Sequence, residues 1–215
     1  MLGPMPVGTT PRASATQQAL LDAAVAEWAE TGELEVAAVA RRAGVSAGLP
    51  YRYFGTRSGL LIALVQDFYQ RLGAAVTLRN YDAPTWAGRE RRRIRDWLAF
   101  LYAEPLAPLM LGGPLGDGAV VAENARLLQE LADVAAHNIM HAQRLGELPA
   151  DRDPHLLAVA TLSGVHAMGT VALSRSPRPP ADEVAEQVWV FVAGAVGLAI
   201  EGIWEHDREE RHVNA

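Results

Sequence analysis

Between Val36 and Phe54 the chain reads VAAVARRAGVSAGLPYRYF, and this stretch limits its folding choices more than any other. Val36, Val39, Ala40 and Ala43 put small apolar side chains on one face at helical spacing. Gly44 follows where that helix must stop and the chain must turn, a position that favours positive φ. Val45 packs the corner, and Ser46 is placed to cap a second helix running to about Phe54. Two short helices on a tight turn make a helix-turn-helix, whose second helix ordinarily lies in the DNA major groove. A plain helical hairpin inside a core fits less well. Ala47, Gly48 and Arg52 are too small or too polar to pack one. Tyr51, Arg52, Tyr53, Thr56 and Arg57 crowd hydrogen-bond donors into seven residues, as phosphate contacts require.

The flanks extend the unit. Leu20, Leu21, Ala24, Val25 and Trp28 form an apolar stripe with Asp22, Glu27 and Glu30 off it, which predicts an amphipathic helix capped by Ser14 or Thr16 and ended by Gly32. Downstream, Thr56 caps a fourth helix with Leu60, Leu61, Leu64, Val65, Phe68 and Leu72 on one face.

LLDAAVAEWAETG, VARRAGVSAGLPYRYF and GTRSGLLIALV together resemble the DNA-binding domain of the tetracycline-repressor (TetR) family of bacterial transcription regulators. The resemblance covers roughly residues 16 to 72; the rest of the chain is similar only in length and helical character. It implies roles position by position. Ser46 opens the recognition helix, and Ala47, Gly48, Leu49 and Arg52 approach base edges and groove walls. Tyr51 and Tyr53 match an aromatic pair on the phosphate backbone, and Phe54 matches a core anchor. Thr56 and Arg57 match the start of the fourth helix, where the family usually carries a phosphate-binding lysine; arginine can make that contact bidentately. There are departures. The loop after Gly32 is about two residues short, Leu34-Glu35 replace the usual threonine cap, and Gln17 stands where arginine is common. Pro50 falls inside the recognition helix, where it removes a backbone hydrogen bond, so that helix is expected to open as a tighter turn.

Charge sorts along the chain. Net charge is −6 over 215 residues, yet residues 1–95 hold 12 arginines against 8 acids and residues 96–215 hold 7 against 17. A positive front and an acidic rear suit a protein that puts one end on DNA. All 19 basic residues are arginine, which with the abundant alanine suggests a GC-rich genome, and there is no cysteine, hence no disulfide or thiolate chemistry. Residues 1–15 lack the pattern of a signal peptide and read as a flexible arm, with Arg12 its candidate for a phosphate or the minor groove. Val188 to Ile200, taken as the longest uncharged apolar run, is short of the ~20 residues that span a bilayer. No membrane partner is expected, and the expected compartment is the cytoplasm, at the nucleoid when DNA-bound.

Beyond the fourth helix the pattern stays helical. Residues 80–88 read as a loop and 89–104 as a helix that begins strongly basic. Arg91, Arg92, Arg93 and Arg95 could face DNA phosphates; a solvated, salt-bridged face is the preferred reading, and whether the cluster touches DNA stays open at this point. Residues 105–118, rich in Pro and Gly, support one short helix at most and are expected to be mobile. Long helices are predicted over 119–146, 154–174 and 182–206. The resulting organisation is all-α: an arm (1–15), a helix-turn-helix DNA-binding domain (16–79), a helical effector-binding and dimerisation domain (80–206) joined through the long fourth helix, and a polar tail (207–215). The last two helices are rich in small residues, including Gly164, Gly169, Gly194 and Gly197, and the resemblance implies a four-helix homodimer interface there.

The resemblance also implies a small-molecule pocket in the second domain. Candidate lining residues are Trp97, Phe100, Leu101, Met110, Leu127, Leu131, Asn138, Met140, His141, His166, Met168 and Trp189, mostly apolar as pockets are. His137 and His141 have metal-compatible i, i+4 spacing with His166 as a third ligand, but no cysteine or paired carboxylate supports them. Neither a metal nor a cofactor is expected. No G-x-S-x-G elbow, H-E-x-x-H pair, dinucleotide fingerprint or P-loop is present, so no enzyme activity is expected. The expectation is a repressor bound to an inverted-repeat operator on double-stranded DNA and released by a mostly hydrophobic or aromatic effector. A constitutive DNA binder, a motif-less all-α enzyme and a helical adaptor remain open alternatives at this point.

Overall fold

The structure is a computed structural model describing residues 11–112 and 118–198, the first three as backbone only. Among the described residues every regular element is helical: α1 (Pro11–Thr31), α2 (Val36–Arg42), α3 (Leu49–Phe54), α4 (Arg57–Leu72) running into a π turn (Gly73–Thr77), α5 (Trp86–Ala103), α6 (Ala107–Gly112), α7 (Gly118–Arg144), α8 (Pro154–Ser174) and α9 (Ala181–Ala195). The all-α expectation therefore holds, with the helix-turn-helix near the N-terminus.

α1 begins five residues earlier than the apolar stripe suggests. Proline is well suited to a first helical position because its missing N–H would have no intrahelical partner there. Residues 11–15, expected in a flexible arm, are thus helical, and Ser14 and Thr16 lie inside the helix instead of capping it. Residues 1–10 and the side chain of Arg12 fall outside the described residues.

α1 packs on α2 and α4, and Arg42 of α2 reaches back to Glu27 (3.0 Å) and Glu30 of α1. The turn after α2 forms as expected. Gly44 sits at φ +68°, and the Val45 N–H closes onto the Ala40 carbonyl at 3.0 Å. Thr56 caps α4 by accepting from the Gly59 N–H at 3.0 Å. Leu60, Leu61, Leu64, Val65, Phe68 and Leu72 are all buried, and Phe68 meets Phe100 of α5 edge-on at 5.5 Å. The apolar core is continuous from Leu20 to Val196, with α4 passing through it.

Four expectations about the second half are corrected. α5 starts at Trp86, because Thr85 caps it by accepting from the Gly88 N–H at 3.2 Å; residues 86–88 are helix, not loop. Residues 105–112 are not loosely held, since Leu106, Ala107, Leu109 and Met110 are buried and α6 packs on α8; 113–117 lie outside the described residues. α9 stops at Ala195, where the Leu198 N–H turns back to the Ala193 carbonyl at 2.9 Å, so the helix does not run unbroken to 206; residues 199–215 are not described. Finally, α8 is long and apolar enough to cross a membrane by length and composition. Its scattered Ser, Thr and His residues hid it beside Val188–Ile200. It packs against α5, α6, α7 and α9.

Candidate nucleic-acid interface and ligand cavity

α3 and the turns beside it carry the candidate DNA-reading residues. Ser46, Ala47, Gly48, Tyr51, Arg52, Thr56 and Arg57 are exposed, Tyr51 by 52 %, while Leu49, Tyr53 and Phe54 are partly buried. Leu49, Tyr53 and Phe54 anchor the helix, with the Tyr53 and Phe54 rings 6.3 Å apart. Ser46 does not cap α3 with its side chain. The Leu49 N–H instead donates to the Ser46 main-chain carbonyl at 3.0 Å, forming a tight turn, and the α-helix proper starts two residues late, with Gly48 as its N-cap. Pro50 is the physical reason that this entry is stable: it lies in the first turn, where its absent N–H has no intrahelical acceptor to lose.

Arg57 is less free than a pure phosphate contact would be. Its Nε donates to the Leu34 carbonyl at 3.0 Å, closing the short loop that leads into α2. Glu35, at the N-cap of α2, makes no side-chain cap bond, consistent with the missing threonine. The arginine cluster of α5 is spent inside the molecule. Arg91 and Arg95 both reach Glu186 of α9, at 2.5 and 2.8 Å, and hold its carboxyl below the usual range through these hydrogen bonds. Arg89 bonds Glu147 (3.2 Å), Arg92 the Asp82 carbonyl, and Arg93 the Glu90 carboxylate.

The second feature is a cavity of about 120 Å³ among α4, α5, α7, α8 and α9. Of the candidates from sequence, it brings together Trp97, Leu131, Asn138 and His166. The His166 and Trp97 rings meet edge-on at 5.8 Å, and burial pushes the His166 imidazole down to about 4, so it is neutral at pH 7.

The others sit elsewhere. Phe100 packs on Phe68, and Leu101 and Met110 are core. Leu127 lies more than a turn of α7 ahead of the lining residues, against the core. Met140 and His141 are exposed, because Ile139 and Ala142 take the buried face of α7 at its C-terminal end. His141 instead stands 3.4 Å from Arg144. Met168 lines an open groove between α8 and α9 with Val171 and Val184. Trp189 is partly buried against the core but does not line the cavity, to which α9 contributes Val192. Among the described residues no three metal-ligating side chains come together; His137 and His141 are exposed while His166 faces the cavity.

Of the α5 wall of this cavity, sequence reasoning found Trp97 and missed the rest. Trp86, Glu90, Arg93 and Trp97 follow one another at i, i+4, i+7 and i+11, a single helical face. The signal was present, but the charges in the run suggested solvent, and Trp86 had been read into a loop. Leu72, Val76 and Thr77 were missed as well; they bring the end of α4 and its π turn to the cavity.

Comparison with known proteins bears on the helix-turn-helix and on the fold. The profile of "Bacterial regulatory proteins, tetR family" matches residues 20–64. The HTH-type transcriptional regulator BetI of Serratia proteamaculans is 43% identical over 65 residues, 29% of this chain and 33% of that protein. BetI of Escherichia coli O139:H28 is 35% identical over 115 residues, 45% of this chain and 59% of its own length. The chain thus spans between a third and three fifths of these curated relatives. Among solved structures, a TetR-family regulator described as putative, from Rhodococcus sp., aligns with TM-score 0.74 and 22% identity, covering 85% of this chain and all of that one. The fatty acid degradation regulator FadR of Bacillus halodurans gives 0.75 and 18% over 89% of this chain and 100% of its own. RolR in complex with resorcinol gives 0.64 and 20% over 86% and 89%. These structural likenesses speak for the fold, and the profile match at 20–64 shows that this segment is the helix-turn-helix of the tetR family of bacterial regulatory proteins.

Proposed function

We propose that this chain is a homodimeric transcriptional repressor that binds an inverted-repeat operator through α3 and is released when a small, mostly apolar or aromatic ligand enters the cavity. One observation carries the reading: α4 begins at the exposed recognition corner, with Thr56 and Arg57, and its continuation through the π turn lines the cavity with Leu72, Val76 and Thr77. A ligand that changes the packing of that end acts on the rigid element holding the other. π turns recur at functional positions in helices.

In this reading Arg52, Ala47, Gly48 and Leu49 meet base edges and groove walls. Tyr51, Tyr53, Thr56, Arg57, the Ser46 turn and, from the first turn of α1, Arg12 meet the backbone. The repressor works in the bacterial cytoplasm, on the chromosome. Residues 16–79 form its DNA-binding part and 80–206 its effector and dimer part. Apolar side chains left in solvent on α8 and α9 support the homodimer: Leu156 is 70 % exposed and Val171 51 %, with Val159, Val190 and Phe191 also exposed. Exposed apolar surface of this kind marks an interaction face.

The test is selection of genomic DNA fragments on the purified protein, followed by release of the enriched fragment with candidate ligands. Enrichment of one inverted repeat is the expected result. Absence of any enriched sequence overturns the reading, and enrichment without release by any cavity ligand reduces it to a constitutive binder.

A further inference from the structure

We propose that the ligand of this cavity is an uncharged single-ring molecule bearing a hydroxyl or carbonyl oxygen, held on that oxygen by the Trp86 indole N–H and supported by the Arg93 Nε–H. The inference rests on the reading of the cavity as the effector site. It starts from two buried donors that find no hydrogen-bond partner among the described residues, Trp86 Nε1 and Arg93 Nε, and both residues line the cavity. Trp86 is 5 % exposed, and its main-chain N–H is already taken by the Glu147 carboxylate, so the indole N–H is the one donor left over. Leaving a buried donor unmade is costly, and a ligand acceptor removes that cost.

Charge selects the kind of acceptor. Glu90 and Arg93 are the ionisable side chains of the wall apart from His166, and they are paired with each other. His166 is neutral at pH 7. Arg93 is further fixed with its guanidinium 5.0 Å from the centre of the Tyr81 ring. The wall therefore has no surplus cation for an anionic ligand, and a carboxylate placed beside Glu90 would bring an unpaired charge into an apolar site. Size selects the rest. A cavity of about 120 Å³ is close to an engineered void of roughly 150 Å³ that accepts benzene, so it matches the size of one ring. Trp97, Ile94, Leu131 and Val165 supply the apolar contact for the ring.

Calorimetric titration of the full chain with toluene, phenol and benzoate at pH 7 tests this. Phenol is expected to bind about tenfold more tightly than toluene, the worth of one net hydrogen bond, and benzoate more weakly than phenol. In Trp86→Phe, phenol should fall to the affinity of toluene, while toluene changes less than about twofold. If the variant does not fold, the wild-type order of the three probes still decides. Toluene equal to phenol, phenol unchanged in Trp86→Phe, or benzoate tighter than phenol each overturns the oxygen-bearing neutral ligand while leaving the cavity a ligand site. Binding of none of the three overturns both.

Discussion

Single residues at the α3–α4 corner carry two separable jobs. Arg57 braces the loop before α2 through the Leu34 carbonyl and, in the proposed reading, offers its charge to DNA. Arg57→Ala and Tyr53→Phe are expected to weaken binding alike across sequences, whereas Arg52→Ala blurs preference at one or two base pairs. The salt dependence separates bracing from phosphate contact: for Arg57→Ala the slope of log K against log salt should fall by about one if a phosphate is lost. An unchanged slope in an anisotropy titration would leave Arg57 a purely structural residue. Gly59 sits at the same corner, in the first turn of α4. A Cβ built there lies 1.9 Å from the Phe54 main-chain oxygen, so α3 and α4 could not meet as they do. Gly59→Ala should cost about 1–3 kcal/mol in urea unfolding and lower operator affinity, because it moves the recognition helix itself.

At the scale of elements, the cavity is where helices of both halves share a wall, and α8 contributes a titratable group to it. His166 has an ordinary value of 6.5, lowered by burial to about 4. A base with a depressed folded-state pKa binds fewer protons folded than unfolded. Its contribution is therefore intact above about pH 6.5 and is lost as pH falls toward 4, by up to about 3 kcal/mol. Glu90, in the same wall, is raised by burial and acts in the opposite sense. The comparison of wild type with His166→Asn isolates the histidine: the fall in urea midpoint from pH 7 to pH 4.5 should be smaller in the variant. Equal falls would show that His166 is solvated in the folded protein. α4 and α7 are tied outside the cavity by Gln66 donating to Glu123 at 2.8 Å, so movement of the end of α4 draws on α7 as well.

For the whole molecule, the proposed dimer and the proposed switch each carry an expectation. Gly194 faces open space, with nothing within 4 Å of a built Cβ, whereas one at Gly164 would strike the Phe191 ring at 2.3 Å in the same chain. The two positions thus separate interface from core. Gly194→Arg should leave the helical signal and thermal midpoint of the protomer near wild type while light scattering reports a monomer, since a charge is then forced into the dimer interface. A dimer of unchanged affinity would move the interface away from this part of α9. Linkage sets the last expectation: the factor by which ligand lowers operator affinity equals the factor by which operator lowers ligand affinity. Ligand stabilisation without any change in operator affinity would remove the switch and keep the cavity.

The residues alone determined the helical order and its punctuation. Gly44 demanded a left-handed turn, Thr56 a cap, and the leucine stripe of α4 a buried face, because these are local steric and hydrogen-bonding requirements that nearby sequence expresses directly. The same local signals made the helix-turn-helix legible together with its exposed donors. Other outcomes required the packed molecule. Ser46 gave up its capping role because the Leu49 N–H found a main-chain acceptor first. Of the lining candidates, Trp97, Leu131, Asn138 and His166 met in the cavity, while His141 turned to solvent and Phe100 to Phe68. Trp86, Glu90 and Arg93 joined them from a run that looked like a solvated charge face. Apolar periodicity says that a face is covered but not by which helix, nor whether the cover fills the space completely. That residual space, and the unspent donors beside it, arise from how five helices cross, which no one of their sequences encodes alone.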